Sequence, residues 1–135
     1  MRTKAIFASV LSLSLLMGAI AFAQMEPAVK TAKIGDQNVF VDSKGMTLYT
    51  YDRDTTPDKS VCNDRCAMVW PPFVAGAEAM TMGSWSVVTR DDGSKHWAYN
   101  GKPVYTYSKD VAPGDAKGDG LGPQGTHVWH VAKAP

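Results

Sequence analysis

The feature that most constrains this chain is an internal repeat. At an offset of 56 residues, Gly45-Met46-Thr47-Leu48-Tyr49-Thr50-Tyr51-Asp52-Arg53-Asp54 overlies Gly101-Lys102-Pro103-Val104-Tyr105-Thr106-Tyr107-Ser108-Lys109-Asp110, and Pro57 overlies Pro113. Gly, Tyr, Thr, Tyr, Asp and Pro coincide at 6 of the 13 positions from 45 to 57, and Leu48/Val104 and Arg53/Lys109 are conservative pairs. Each copy is followed by a Val-Trp pair, Val69-Trp70 and Val128-Trp129, where the offset becomes 59. A unit this short cannot bury a core alone, so the duplication predicts two copies packed against each other as one domain.

Local patterns make that domain mainly β. The segments are short, rich in Val, Thr, Tyr and Trp, and separated by turn residues. Residues 40–42 lead through Ser43-Lys44-Gly45 into 46–51 as a hairpin. Segments 85–90, 95–99 and 104–107, joined by Asp91-Asp92-Gly93 and Asn100-Gly101, read as a three-stranded meander, because Asp-Gly and Asn-Gly supply the positive φ of tight turns. A last strand is expected over 127–132. Residues 24–36 show no sustained periodicity and read as a flexible lead-in. The predicted architecture is a single β domain over 37–135, made of two antiparallel hairpin/meander repeats (about 37–72 and 94–132). A short helical turn is expected near 63–70, capped by Asn63 or Asp64 and ended by Pro71-Pro72.

Residues 1–23 have the three parts of a signal peptide: Arg2 and Lys4, an uncharged and mostly apolar run from Ala5 to Ile20, and the small-residue site Ala21-Phe22-Ala23. Cleavage after Ala23 leaves 112 residues beginning at Gln24 and takes the basic count from 14 to 12 against 13 acidic residues. That near-neutral balance, without a basic cluster, argues against nucleic acid as partner. No second apolar run approaches the ~20 residues of a membrane span. Export to the periplasm or exterior makes a disulfide the default for Cys62 and Cys66. In a regular helix these two side chains would sit too far apart to bond, so the bridge requires a distorted turn. The alternative, a redox or thiolate metal site, lacks C-x-x-C spacing and a second cysteine pair.

Both copies of the repeat fit the pattern Y-x-[FWY]-x-x-D, through Tyr49, Tyr51, Asp54 and Tyr105, Tyr107, Asp110. With Cys62-x-x-x-Cys66-Ala67, Trp70-Pro71-Pro72, Tyr99-Asn100-Gly101-Lys102-Pro103 and Pro113-Gly114-Asp115, the chain resembles, over about 37–133, a family of bacterial predicted lipoproteins described as a secreted repeat of unknown function. The resemblance implies a bacterial envelope protein and carries over no substrate or catalytic residue. The chain departs from the lipoprotein label in having no acyl-accepting cysteine at the cleavage point.

On a strand, Tyr49 and Tyr51 share one face, as do Tyr105 and Tyr107, while Leu48 and Val104 take the other. The motif is then either a ligand platform of aromatic faces with an orienting carboxylate, or a packing device in which the phenols and the aspartates tie down loops. Its recurrence favours packing, since a structural device recurs whenever its unit does. For metals, His96, His127 and His130 with Met80-x-Met82 are donors suited to copper, and Asp110, Asp115 and Asp119 in a glycine-rich loop invite calcium without the spacing of an EF-hand. No G-x-S-x-G or H-E-x-x-H occurs, so no enzyme is expected. The expected function is a non-catalytic binding or interaction module of the envelope, without a cofactor. Its partner is an unknown envelope component or a small ligand. The alternative is a periplasmic metal-binding protein.

Overall fold

A computed structural model describes residues 25–135; the expected signal peptide and the expected cleavage after Ala23 lie outside the described residues. The chain enters as a hairpin, β1 (Val29–Ile34) with β2 (Gln37–Asp42). Gly35 turns it with φ +60, the angle that the first position of a two-residue hairpin loop demands. After the Ser43–Gly45 turn the backbone returns along β2, with Leu48 N–H donating to Phe40 O at 3.0 Å, and runs into β3 (Tyr49–Tyr51). Helix α1 (Arg65–Val69) follows. The meander is β4 (Trp85–Thr89), β5 (Lys95–Tyr99) and β6 (Lys102–Pro103), and β7 (Trp129–Val131) closes the chain against β3.

Three expectations need correction. The third strand of the meander is Lys102–Pro103 rather than 104–107, because Tyr105 leaves that sheet to pair with Tyr49 and Pro72. Residues 29–34, inside the segment read as a flexible lead-in, form β1: Ala32 and Ile34 pack against the core while Lys30 and Lys33 face solvent. The apolar side chains are too few to advertise a strand, and the pairing with β2 supplies what the sequence pattern lacks. Helix α1 has no side-chain cap. Asp64 stands at its start with φ +53, and the Asn63 side chain is held instead by Arg90 and Asp91. That left-handed residue is the distortion that lets the chain turn sharply between Cys62 and Cys66, whose Cα atoms are 5.1 Å apart and whose sulfurs are 2.03 Å apart.

The two repeats do not sit side by side; they exchange strands. Tyr49 N–H donates to Tyr105 O at 2.8 Å and Tyr105 N–H to Tyr49 O at 2.9 Å, a reciprocal pair that marks a pseudo-two-fold axis. On its other side, β3 of the first repeat pairs with β7 of the second. Tyr105 and Thr106 of the second repeat lie along Pro71 and Pro72 of the first. The segments that follow repeat the exchange: Phe73 and Ala75 pair with β5, and Ala132 and Ala134 with β2. Each half of the sheet system therefore contains strands from both copies.

The core is built about the same axis. Tyr51, Trp129, Trp70 and Tyr107 form a continuous stack, with centroid separations of 4.1, 3.8 and 4.4 Å and the two indoles inclined by only 5°. Tyr49 meets Trp70 edge-on at 5.3 Å and Tyr105 meets Trp129 edge-on at 5.1 Å, so the two halves present the same arrangement to each other. On the opposite strand face Leu48 and Val104, both fully buried, pack with Phe40 and Ala132. Gly118 marks how closely the second loop approaches: a Cβ there would lie 2.6 Å from the Trp70 ring and 3.0 Å from Tyr49.

Stacked parallel indoles couple their electronic transitions. Trp70→Phe and Trp129→Phe are each expected to change the near-UV circular dichroism of the folded protein, and their changes to be non-additive in the double variant; strictly additive changes would show that Trp70 and Trp129 do not stack in solution.

Candidate functional site

The Y-x-[FWY]-x-x-D motif folds into two reciprocal joints. Tyr49 Oη donates to Asp110 Oδ2 at 2.5 Å, and Tyr105 Oη donates to Asp54 Oδ2 at 2.5 Å. The tyrosine of each repeat thus holds the aspartate of the other. The second oxygen of each carboxylate accepts a backbone N–H seven residues further on, Val61 for Asp54 at 2.8 Å and Lys117 for Asp110 at 3.0 Å. Both tyrosines are fully buried. Burial, reinforced by the neighbouring carboxylates, pushes both phenols far above their ordinary range, so they act as permanent donors. Desolvation also raises the Asp54 carboxyl, against the hydrogen bonds from Tyr105 and Val61 and the charge of Arg90.

The halves differ in what lies behind the joint. Behind Tyr105, Ser60 Oγ donates to the phenol oxygen at 2.6 Å and accepts from Arg90 Nη1 at 3.0 Å; the same Nη1 reaches His96 Nδ1 at 3.1 Å. Because Arg90 can only donate, His96 Nδ1 accepts, and the proton on Nε2 goes to Val104 O at 2.6 Å. Arg90 Nη2 also binds Cys62 O and Asn63 Oδ1, tying the disulfide turn to the joint. Burial, helped by the Arg90 charge, lowers the His96 pKa to about 4. In the other half, the 56-residue offset puts Ala116 where Ser60 stands, and Tyr49 receives only the more distant Gly118 N–H at 3.3 Å.

Arg90 and Ser60 were not singled out from the sequence. Arg90 precedes an Asp-Asp-Gly turn and reads as a surface charge, yet strand alternation from the buried Val88 puts it on the same inward face. That period was the available signal.

The histidine and aspartate side chains considered for a metal do not meet. His96 has both ring nitrogens engaged internally, His127 Nδ1 lies 2.6 Å from Gly120 O, and His130 Nε2 lies 2.8 Å from Asp52 Oδ2. Asp115 accepts from Val111 and Ala112 N–H at 2.9 and 3.1 Å, and Asp119 accepts from Val131 N–H at 3.0 Å. Asp115 thus organises its own loop, and Asp119 ties that loop to β7. Among the described residues, no three His, Cys, Asp or Glu side chains converge in a metal-binding arrangement.

An open groove of about 410 Å³ lies on the surface beside the joint. It is lined by Tyr99, Asn100 and Lys102 around the β5–β6 turn, by Thr50 of β3, and by His130, Val131, Ala132 and Lys133 in and after β7. It continues past Asn100 and Lys102 into a depression of about 300 Å³ lined by Asp52, Thr55, Pro57 and the edge of Asp54.

A family model described as a secreted repeat of unknown function matches the chain twice, over residues 30–74 and 86–133. The chain belongs to this family. Each match of the secreted repeat begins within one residue of the start of a first strand, β1 or β4, so each spans a hairpin, a Tyr-x-Tyr segment and a Val-Trp segment. No curated protein and no solved structure matches the chain. None of the described helices is long and apolar enough to cross a membrane.

Removing the Tyr105 hydroxyl leaves a buried carboxylate short of a donor and interrupts the chain to Arg90. Tyr105→Phe is expected to cost about 1–3 kcal/mol in urea unfolding and more than Tyr49→Phe. Equal losses would show that the Ser60–Arg90–His96 chain contributes nothing to the joint. The pH dependence follows from His96. The native state keeps it neutral where the unfolded chain, titrating near 6.5, already binds a proton, so stability is complete above that value and declines as pH falls towards 4, by on the order of 3 kcal/mol. Asp54, raised on folding, acts in the opposite sense in the carboxylate range. Unfolding midpoints between pH 7 and 4.5 are expected to fall in the parent and to flatten in His96→Gln.

Proposed function

We propose that this secreted repeat protein is a non-catalytic binding module of the bacterial envelope, and that its ligand face is the groove between the β5–β6 turn and β7. The observation that carries this reading is the cleft itself, whose volume is that of a small-molecule site and whose rim holds Lys102, Lys133, His130 and Asn100 at the surface. The phenols and carboxylates that would serve acid–base chemistry are committed to the joints. The groove offers two ammonium groups, an amide and the Thr50 hydroxyl, while Asp52 engages His130 at its edge, a set suited to a hydroxyl-rich ligand whose carboxylate lies along Lys102 and Lys133, such as an acidic glycan of the envelope.

The probe is a carboxylated oligosaccharide such as oligogalacturonate, followed by amide chemical shifts and calorimetry. The expected result is salt-sensitive binding that moves Asn100, Lys102, His130 and Lys133, weakened about tenfold by Lys102→Ala with Lys133→Ala. Shifts confined elsewhere, or none, overturn the groove as ligand face. Turnover of the oligosaccharide that disappears in Asp54→Asn overturns the non-catalytic reading.

A further inference from the structure

Five methionines lie in residues 25–135, and three of them, Met25, Met80 and Met82, line one surface cavity of about 410 Å³ together with Glu26 and Thr81. They come from sites more than fifty residues apart in sequence, and backbone contacts hold them together. Met80 N–H donates to Met25 O at 3.3 Å. Met82 exchanges hydrogen bonds with Trp85, N–H to O at 2.8 Å and O from N–H at 2.9 Å, around a turn in which Gly83 has φ +57. Met80 and Met82 stand two residues apart, so extended backbone sends both side chains to one side. They remain 55 % and 42 % exposed, although a side chain as adaptable as Met readily fills core gaps. Nothing in the repeat requires them, because 80–82 falls between the two matched spans.

The donor set is specific in its chemistry. Three thioethers with one carboxylate, and no imidazole or thiolate, select a soft monovalent ion over calcium, magnesium or zinc. We infer that Met25, Met80 and Met82 form a thioether site for Cu(I) or the isoelectronic-shell ion Ag(I), with Glu26 balancing the charge. The site is separate from the proposed ligand groove, shares no residue with it, and stands or falls independently of it.

Silver is the better probe because it needs no reductant. Ag(I) titrated into the chain from Gln24 onward, followed by methionine ε-methyl resonances and calorimetry, is expected to bind at one equivalent. It should move Met25, Met80 and Met82 while leaving Met46 and the more exposed Met68 in place. Zn(II) should move none of them. Met80→Leu with Met82→Leu keeps volume and apolarity, and should lower Ag(I) affinity at least about tenfold with an unchanged unfolding midpoint. Binding that survives this double variant, that shifts Met68 as much as Met80, or that is lost in His127→Ala with His130→Ala overturns the site, as does no binding at all.

Discussion

The structure depends on two buried hydrogen bonds that exchange partners between repeats. A phenol held far above its ordinary pKa donates to a carboxylate at 2.5 Å, and the carboxylate's other oxygen gathers a loop N–H seven residues on. Because the tyrosine comes from one copy and the aspartate from the other, neither copy satisfies its own polar groups. A lone repeat would leave a tyrosine hydroxyl and a carboxylate to water, and the Tyr-x-Tyr strand without its reciprocal neighbour. The same exchange governs the outer contacts, where Gly45 lies against Pro113 and Gly101 against Pro57. The repeated Gly, first Tyr, Asp and Pro are thus the residues of one interface seen twice, and the second Tyr of each copy ends the aromatic stack. Identity between copies is what a pseudo-two-fold axis demands of residues that meet across it.

Features that break the repeat have a different character. Ser60, Arg90 and His96 build a polar chain behind one joint, and the disulfide belongs to that half as well. At the 56-residue offset Cys62 corresponds to Gly118, whose missing side chain admits Trp70 and Tyr49. Thr50 apart, whose counterpart is Thr106, the surface groove likewise draws its polar residues from unlike positions: Lys102 stands over Met46, and Asn100 over Lys44. Symmetry supplies the scaffold, and specificity has to come from where the copies diverge, since a binding feature required by the fold would have appeared in both.

Much of the scaffold was legible before the fold was known. Asp-Gly and Asn-Gly turns place the meander, and alternation puts Leu48 and Val104 opposite Tyr49 and Tyr105. The segment 29–34 is weakly marked as a strand because Val, Thr, Ala and two Lys make a poor apolar pattern, and the Gly35-Asp36 turn is its one hairpin signal. At the helix start Asn63 and Asp64 have the composition of caps, but their backbone serves the disulfide turn and Arg90 competes for the Asn63 side chain. The histidine and aspartate candidates share donor chemistry, and nothing local says that each is already engaged by a different backbone carbonyl, N–H or side chain.

The sequence alone determined that this is a chain of short strands, duplicated at a spacing of 56 residues, with a cysteine pair in the first copy only and a Tyr-x-Tyr-x-x-Asp motif in both. All of these are properties of periodicity, composition and turn chemistry, which act over a few residues. Only the tertiary structure decided that the copies interlock, that each tyrosine finds the aspartate of the other copy, that Arg90 is buried, and that Met25 joins Met80 and Met82 at one cavity. Those facts rest on which distant segments share a sheet edge. A pseudo-two-fold axis is a relation between two copies, and no property of either copy by itself contains it.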